Sequence, residues 1–119
     1  MVDAELERLR DVCAGLPESA ESTTVHHPSF KIRGKTFAIY AESDGVPAAW
    51  IKSTHGEQQE LIRSDPERFF APPYLGPRGW VAVRLDGTCD WGEVAEVVAD
   101  GWKLAAPKRL ARQFDEQQR

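Results

Sequence analysis

A chain of 119 residues, 41% hydrophobic and 29% charged, is sized for one domain (residues 1–119) with a core of its own and is too apolar for wholesale disorder. Two cysteines, Cys13 and Cys89, are too few for a disulfide framework or a four-cysteine zinc site. Nineteen acidic against fifteen basic residues give a net charge of −4, which excludes a uniformly basic nucleic-acid coat. No apolar run reaches the ~20 residues of a membrane span, and the acidic start lacks the apolar core of a signal peptide, so a cytoplasmic location is expected.

Asp3 is placed to cap a first helix, along which Leu6, Leu9, Val12, Cys13 and Leu16 recur at helical spacing until Pro17 ends it. From Thr23 to Ser53 the pattern becomes short β segments. Phe30 and Ile32 alternate with Lys31 and Arg33, a turn is expected at Gly34-Lys35, and Thr36–Tyr40 forms the next strand. Ser43-Asp44-Gly45 predicts a hairpin turn before a strand at Ala48–Lys52. Thr54-His55-Gly56-Glu57 has capping-box spacing and opens a mostly polar helix anchored by Leu61 and Ile62. Phe69 and Phe70 lead into a stiff loop, Pro72-Pro73-Tyr74-Leu75-Gly76-Pro77-Arg78-Gly79, followed by a strand from Trp80 to Leu85. Asp90-Trp91-Gly92-Glu93 repeats the capping-box spacing. The long helix it opens carries Trp91, Val94, Val97, Val98, Trp102 and Ala105 on one stripe, and Leu110 and Phe114 suit a short final helix after Pro107. This order predicts an α+β two-layer sandwich, an antiparallel sheet with its helices on one face.

Charge is unevenly distributed. Residues 86–102 hold five acids and no base, whereas residues 21–41 hold three bases and one acid. Strand alternation assigns Phe37, Ile39, Ala49, Ile51, Val81, Val83 and Leu85 to the helix side and Lys31, Arg33, Tyr40, Trp50, Lys52, Trp80 and Arg84 to the open side. An acidic protein would then own one basic, aromatic face. Such residues suit a pleated surface for packing reasons alone. They also make a stacking platform, on which aromatics hold unstacked bases and cations track phosphates. The assignment rests on register, which a slip of one residue inverts.

The segments Gly15-Leu16-Pro17-Glu18, Lys31-Ile32-Arg33-Gly34-Lys35-Thr36-Phe37-Ala38, Trp50-Ile51-Lys52, Pro73-Tyr74 and Gly79-Trp80-Val81-Ala82-Val83-Arg84-Leu85, in this order, resemble the MmcQ/YjbR family of small bacterial proteins over nearly the whole chain. The resemblance implies a frataxin-like (CyaY-like) α–β–α fold and DNA as partner. It singles out Lys35, Phe37, Lys52, Tyr74 and Trp80. The chain departs from the family at His26-His27-Pro28, where a Phe-Gly pair is usual, and at Gly101-Trp102, where Ser-Tyr is usual.

The expected nucleic-acid contacts are Lys31, Arg33, Lys35, Tyr40, Trp50, Lys52, Tyr74, Arg78, Trp80 and Arg84, with no membrane partner and a monomeric or weakly dimeric state. No nucleophile elbow, phosphate-cradling glycine loop or zincin spacing is present, so neither catalytic residues nor a cofactor are expected. Neighbouring His26 and His27 point to opposite faces of a strand, and Cys13 reads as core, so no metal site or Cys13–Cys89 disulfide is expected. Two other functions fit the same sequence. One is a small-ligand or protein-interaction domain using the Pro72–Trp80 loop. The other is frataxin-like metal handling on the carboxylate ridges Asp3, Glu7, Asp11 and Glu93, Glu96, Asp100.

Overall fold

A computed structural model of the chain describes residues 4–24, 27–43, 45–87 and 89–118. The expected roles of Asp3, His26 and Asp44 lie outside these residues. Helix α1 (Ala4–Ala14) leads into strands β1 (Ser19–Thr24), β2 (His27–Ile32), β3 (Lys35–Ser43) and β4 (Val46–Ile51). Helix α2 (His55–Ser64), the short strand β5 (Phe69–Phe70), a 3₁₀ turn (Gly76–Arg78) and strand β6 (Val81–Arg84) follow, and helices α3 (Trp91–Ala105) and α4 (Lys108–Gln117) end the chain. The six strands form one antiparallel sheet in the order β1-β2-β3-β4-β6-β5. Among the described residues no helix is long and apolar enough to cross a membrane.

Local chemistry sets the helix starts. The Thr54 hydroxyl accepts from Glu57 N–H, and one Asp90 carboxylate oxygen accepts from Gly92 and Glu93 N–H, satisfying donors that the first helical turn leaves free. Helices α1 and α3 pack on one face of the sheet. Leu9 and Cys13 of α1 and Val94, Val98 and Trp102 of α3 share a core with two cross-strand rows, Phe30–Ala38–Ile51–Val81 and Tyr40–Ala49–Val83–Phe69. Helix α3 lies very close to the sheet. A Cβ at Gly101 would stand 2.7 Å from Ile51 Cγ2 and 2.8 Å from Lys52 O, so the glycine is what permits this approach. The neighbouring Trp102 is fully buried and donates its indole N–H to the carbonyl of Pro17 at 3.0 Å, tying α3 to the end of α1.

The expected face assignment fails in β3. Lys31 pairs with Thr36 but Phe30 pairs with Ala38, so Phe37 is an extra residue in a β-bulge. Phe37 and Ala38 both enter the core, and alternation is inverted from there on. Tyr40, expected outside, is 5% exposed within the core cluster. Ile39, expected inside, pairs with Trp50 on the opposite face. The turn between β2 and β3 is Arg33-Gly34, both with positive φ (49° and 81°), one residue earlier than expected. Strand β1 had no alternation to reveal it, since Ser19-Ala20-Glu21-Ser22-Thr23-Thr24 is almost wholly polar.

Candidate functional site

The face opposite the helices carries a row across the whole sheet: Ser22, Ser29, Ile39, Trp50, Ala82 and Phe70. Beside Trp50, the sheet ends in a cleft of about 720 Å³. Its sheet side is formed by His27, Ser29, Lys35, Thr36, Ile39, Trp50 and Lys52. Leu75, Arg78 and Trp80 supply the loop side, and Leu104 and Ala105 the C-terminal end of α3. The cleft is thus open across the sheet end and reaches from one layer to the other.

The loop before β6 is held in shape from several directions. Gln58 of α2 is buried, and its amide donates to the carbonyls of Trp80 and, at 2.9 Å, Gly76. His55 Nε2 lies 2.8 Å from the carbonyl oxygen of Pro77. Gly79 has φ 93° and lies against the backbone of α2's first turn, where a Cβ would meet His55 N at 3.0 Å and Thr54 C at 3.1 Å. Within the loop, Gly76 N–H donates to Pro72 O at 2.8 Å and Leu75 N–H to Pro73 O at 2.7 Å. Tyr74 sits at the tip with φ 66°, a left-handed conformation that costs a non-glycine residue about 1–2 kcal/mol. Its side chain is 90% exposed. The strain lies in the backbone, and the ring stands uncovered at the loop tip.

Five of the ten expected contacts line this one cleft: Lys35, Trp50, Lys52, Arg78 and Trp80. Tyr74 is next to Leu75 of its wall. Lys31 lies on the same face of the sheet by register, paired with Thr36, but outside the cleft. Two expectations are corrected, and those for Arg84, which does lie on the open face, and Trp80 are narrowed. Tyr40 belongs to the core, for the reason given by the bulge. Arg33 sits in the turn and holds both Glu18 carboxylate oxygens, with Nε 3.0 Å from Oε1, so it faces a carboxylate rather than the cleft. Arg84 donates to the carbonyl of Glu67 at 2.7 Å, and its guanidinium lies 4.5 Å from the Phe70 ring centroid. Trp80 is 7% exposed and therefore offers the cleft part of its ring as a wall, where the sequence led us to expect an open stacking surface.

Sequence reading missed Gln58 and the apolar pair Leu75 and Leu104. Gln58 had a signal: it precedes Leu61 and Ile62 by three and four residues, on the stripe by which α2 packs. The pairing of His27 with Trp50, ring centroids 6.1 Å apart, had none.

The electrostatics of the cleft differ from those of the remaining surface. No carboxylate lines it among the described residues, in a chain with 19 acidic residues. Among the described residues Lys35, Lys52 and Arg78 make no ion pair, as is also true of Arg8, Lys31, Arg84, Lys108, Arg109 and Arg112, whereas Arg10, Arg33, Arg63, Arg68 and Lys103 are ion-paired. Among the described residues the buried Trp50 indole nitrogen has no hydrogen-bond partner, and neither has the Ser22 hydroxyl on the same cross-strand row.

The thiols lie elsewhere. Burial pushes the Cys13 thiol up to about 12, with Glu21 adding to the shift, and burial likewise raises Cys89 despite the opposing charge of Arg68. Among the described residues no three His, Cys, Asp or Glu side chains come together as a metal-holding group.

Comparison with known proteins identifies the lineage. The YjbR family model matches residues 14–104. The chain belongs to the YjbR family. The matched region holds every residue of the cleft except Ala105, while α4 lies beyond it. Among solved structures, the chain is similar to a crystal structure of a Deinococcus radiodurans protein with a DUF419 domain, at TM-score 0.76 and 22% identity. The similarity covers 92% of this chain and 87% of that one. At that identity the likeness concerns the fold. No curated protein matches the chain.

Proposed function

We propose that this YjbR-family protein binds single-stranded nucleic acid, and that the cleft at the sheet end, rather than a flat sheet face, is where the strand is held. One observation carries the reading: Lys35, Lys52 and Arg78, without ion pairs among the described residues, meet Trp50 and Trp80 in a cleft free of carboxylates. A −4 protein that leaves three cations uncompensated in one place holds a locally positive site. Aromatic walls add affinity for a flat ring, about 1–3 kcal/mol per stacked base. Tyr74 and Leu104, the large apolar side chains most exposed among the described residues, stand next to the cleft and in its wall. The DNA designation that the family resemblance carries points the same way.

Single strands suit this site better than duplexes. Reading a duplex takes a helix or β-ribbon inserted into the major groove. A concave site with aromatic walls takes bases that are already unstacked. Fluorescence anisotropy with single- and double-stranded oligonucleotides at two salt concentrations tests this. The expected result is tighter single-strand binding, with log affinity falling against log salt by about 0.7 for each strand phosphate that the cations neutralise. Absence of binding at low salt, or a preference for duplex, would refute the reading.

A further inference from the structure

We propose that the cleft holds a single nucleotide unit, so that a free nucleoside monophosphate is a ligand in its own right and a longer strand is held through one of its units. The proposal rests on the nucleic-acid reading for the ligand's chemistry and adds its footprint. The shared chemistry is one phosphate and one flat base, whether free or part of a strand.

Three observations set that footprint. The cleft's volume of about 720 Å³ falls within the ~300–1,000 Å³ of sites that enclose one small molecule. Its loop wall is fixed, because Gln58 holds the carbonyls of Gly76 and Trp80, and Gly79 packs against the start of α2. The cations that would extend a phosphate track across the sheet are already engaged. Arg33 is bound to Glu18, and Arg84 to the Glu67 carbonyl and the Phe70 ring. Of the expected sheet-face cations outside the cleft, Lys31 alone has no partner of this kind among the described residues.

The site also has a direction. The C-terminal turn of α3 reaches the cleft at Leu104 and Ala105, and a helix C-terminus carries partial negative charge. The phosphate is therefore expected at the cations Lys35, Lys52 and Arg78 rather than at the helix end. The base is left to the apolar parts of the walls, Leu104 and the tryptophans.

Titration of the full chain, followed by tryptophan fluorescence, tests the proposal with four probes: adenosine monophosphate, adenosine, inorganic phosphate and oligoadenylates of increasing length. Adenosine monophosphate should bind saturably and at least about tenfold more tightly than adenosine or phosphate, since each of those lacks half of the recognised unit. Affinity per nucleotide unit should change by no more than about threefold from the dinucleotide to longer strands, and Lys52→Gln should weaken monophosphate and strand by the same factor. If the monophosphate binds and strands do not, the proposal stands with the free nucleotide as the source, and the strand-binding reading falls. If strands bind with affinity per nucleotide unit climbing with length and the monophosphate does not bind, the one-unit footprint is overturned and strand binding survives. Binding by neither overturns both. Adenosine or phosphate binding as tightly as the monophosphate overturns the proposal as well.

Discussion

The two sides of the sheet use tryptophan in opposite ways. On the helix side Trp102 is fully buried and its indole N–H is satisfied by the Pro17 carbonyl at 3.0 Å. On the cleft side Trp50 is half-buried, faces His27 and has an indole N–H with no partner. Charge differs too: the cleft gathers Lys35, Lys52 and Arg78, without an ion pair among the described residues, in a lining that holds no carboxylate. The helix side is therefore built for stability. The cleft side leaves three cations without a carboxylate beside them, which the proposed binding would use.

The sharpest division between the two sides is expected from Trp102→Ala. Emptying that core site and freeing the Pro17 carbonyl should cost about 3–5 kcal/mol in urea denaturation. A loss below about 1 kcal/mol would mean that Trp102 does not organise the core as described. Next comes Gln58→Leu, which removes the donor shared by the Gly76 and Trp80 carbonyls. It should destabilise by about 1–3 kcal/mol and weaken ligand binding as well, because the loop wall loses its anchor. Unchanged affinity in a folded variant would detach the loop from the site.

Trp50→Phe should move stability by less than about 1 kcal/mol, since the group it deletes is an unpartnered buried N–H. Binding should still drop several-fold as stacking area is lost. A large stability loss with unaltered binding would make Trp50 an ordinary packing residue. The smallest effect in neutral solution concerns Cys13. In the native protein a thiol reagent should leave it unmodified, while half-buried Cys89 reacts slowly. The linkage sign is fixed. The unfolded chain gives up this proton near pH 9.0, but the folded chain keeps it to about 12. Stability from this group is full below pH 9.0 and falls as pH rises towards 12, and a Cys13→Ser variant should lose that alkaline dependence.

Much of the fold was legible because its signals are local. Capping spacings at Thr54 and Asp90 located two helix starts, and the stripe from Val94 to Ala105 located the helix that covers the sheet. The bulge at Phe37 was not legible. Thr36-Phe37-Ala38-Ile39-Tyr40 is nearly continuous in apolar residues, so alternation within it is ambiguous. Only pairing with β2 decides which side each residue takes, and that pairing sent Tyr40 into the core. Strand β1 is defined in the same way, by its partner rather than its composition. For the site, parity correctly placed Trp50 on the side away from the helices. Convergence with Arg78 and Leu104 depends on loop shape and on the close approach of α3, both of which are tertiary.

The central claim is that the unpaired cations of the cleft, and not the basic residues of the sheet at large, bind the ligand. Its most direct test compares Lys52→Gln with Arg33→Gln, two variants of equal charge change, in anisotropy titrations of a single-stranded oligonucleotide over a range of salt. Lys52→Gln should weaken binding and flatten the slope of log affinity against log salt, and Arg33→Gln, which loses only its bond to Glu18, should leave both nearly unchanged. Equal losses from the two variants, or a larger loss from Arg33→Gln, would contradict the account.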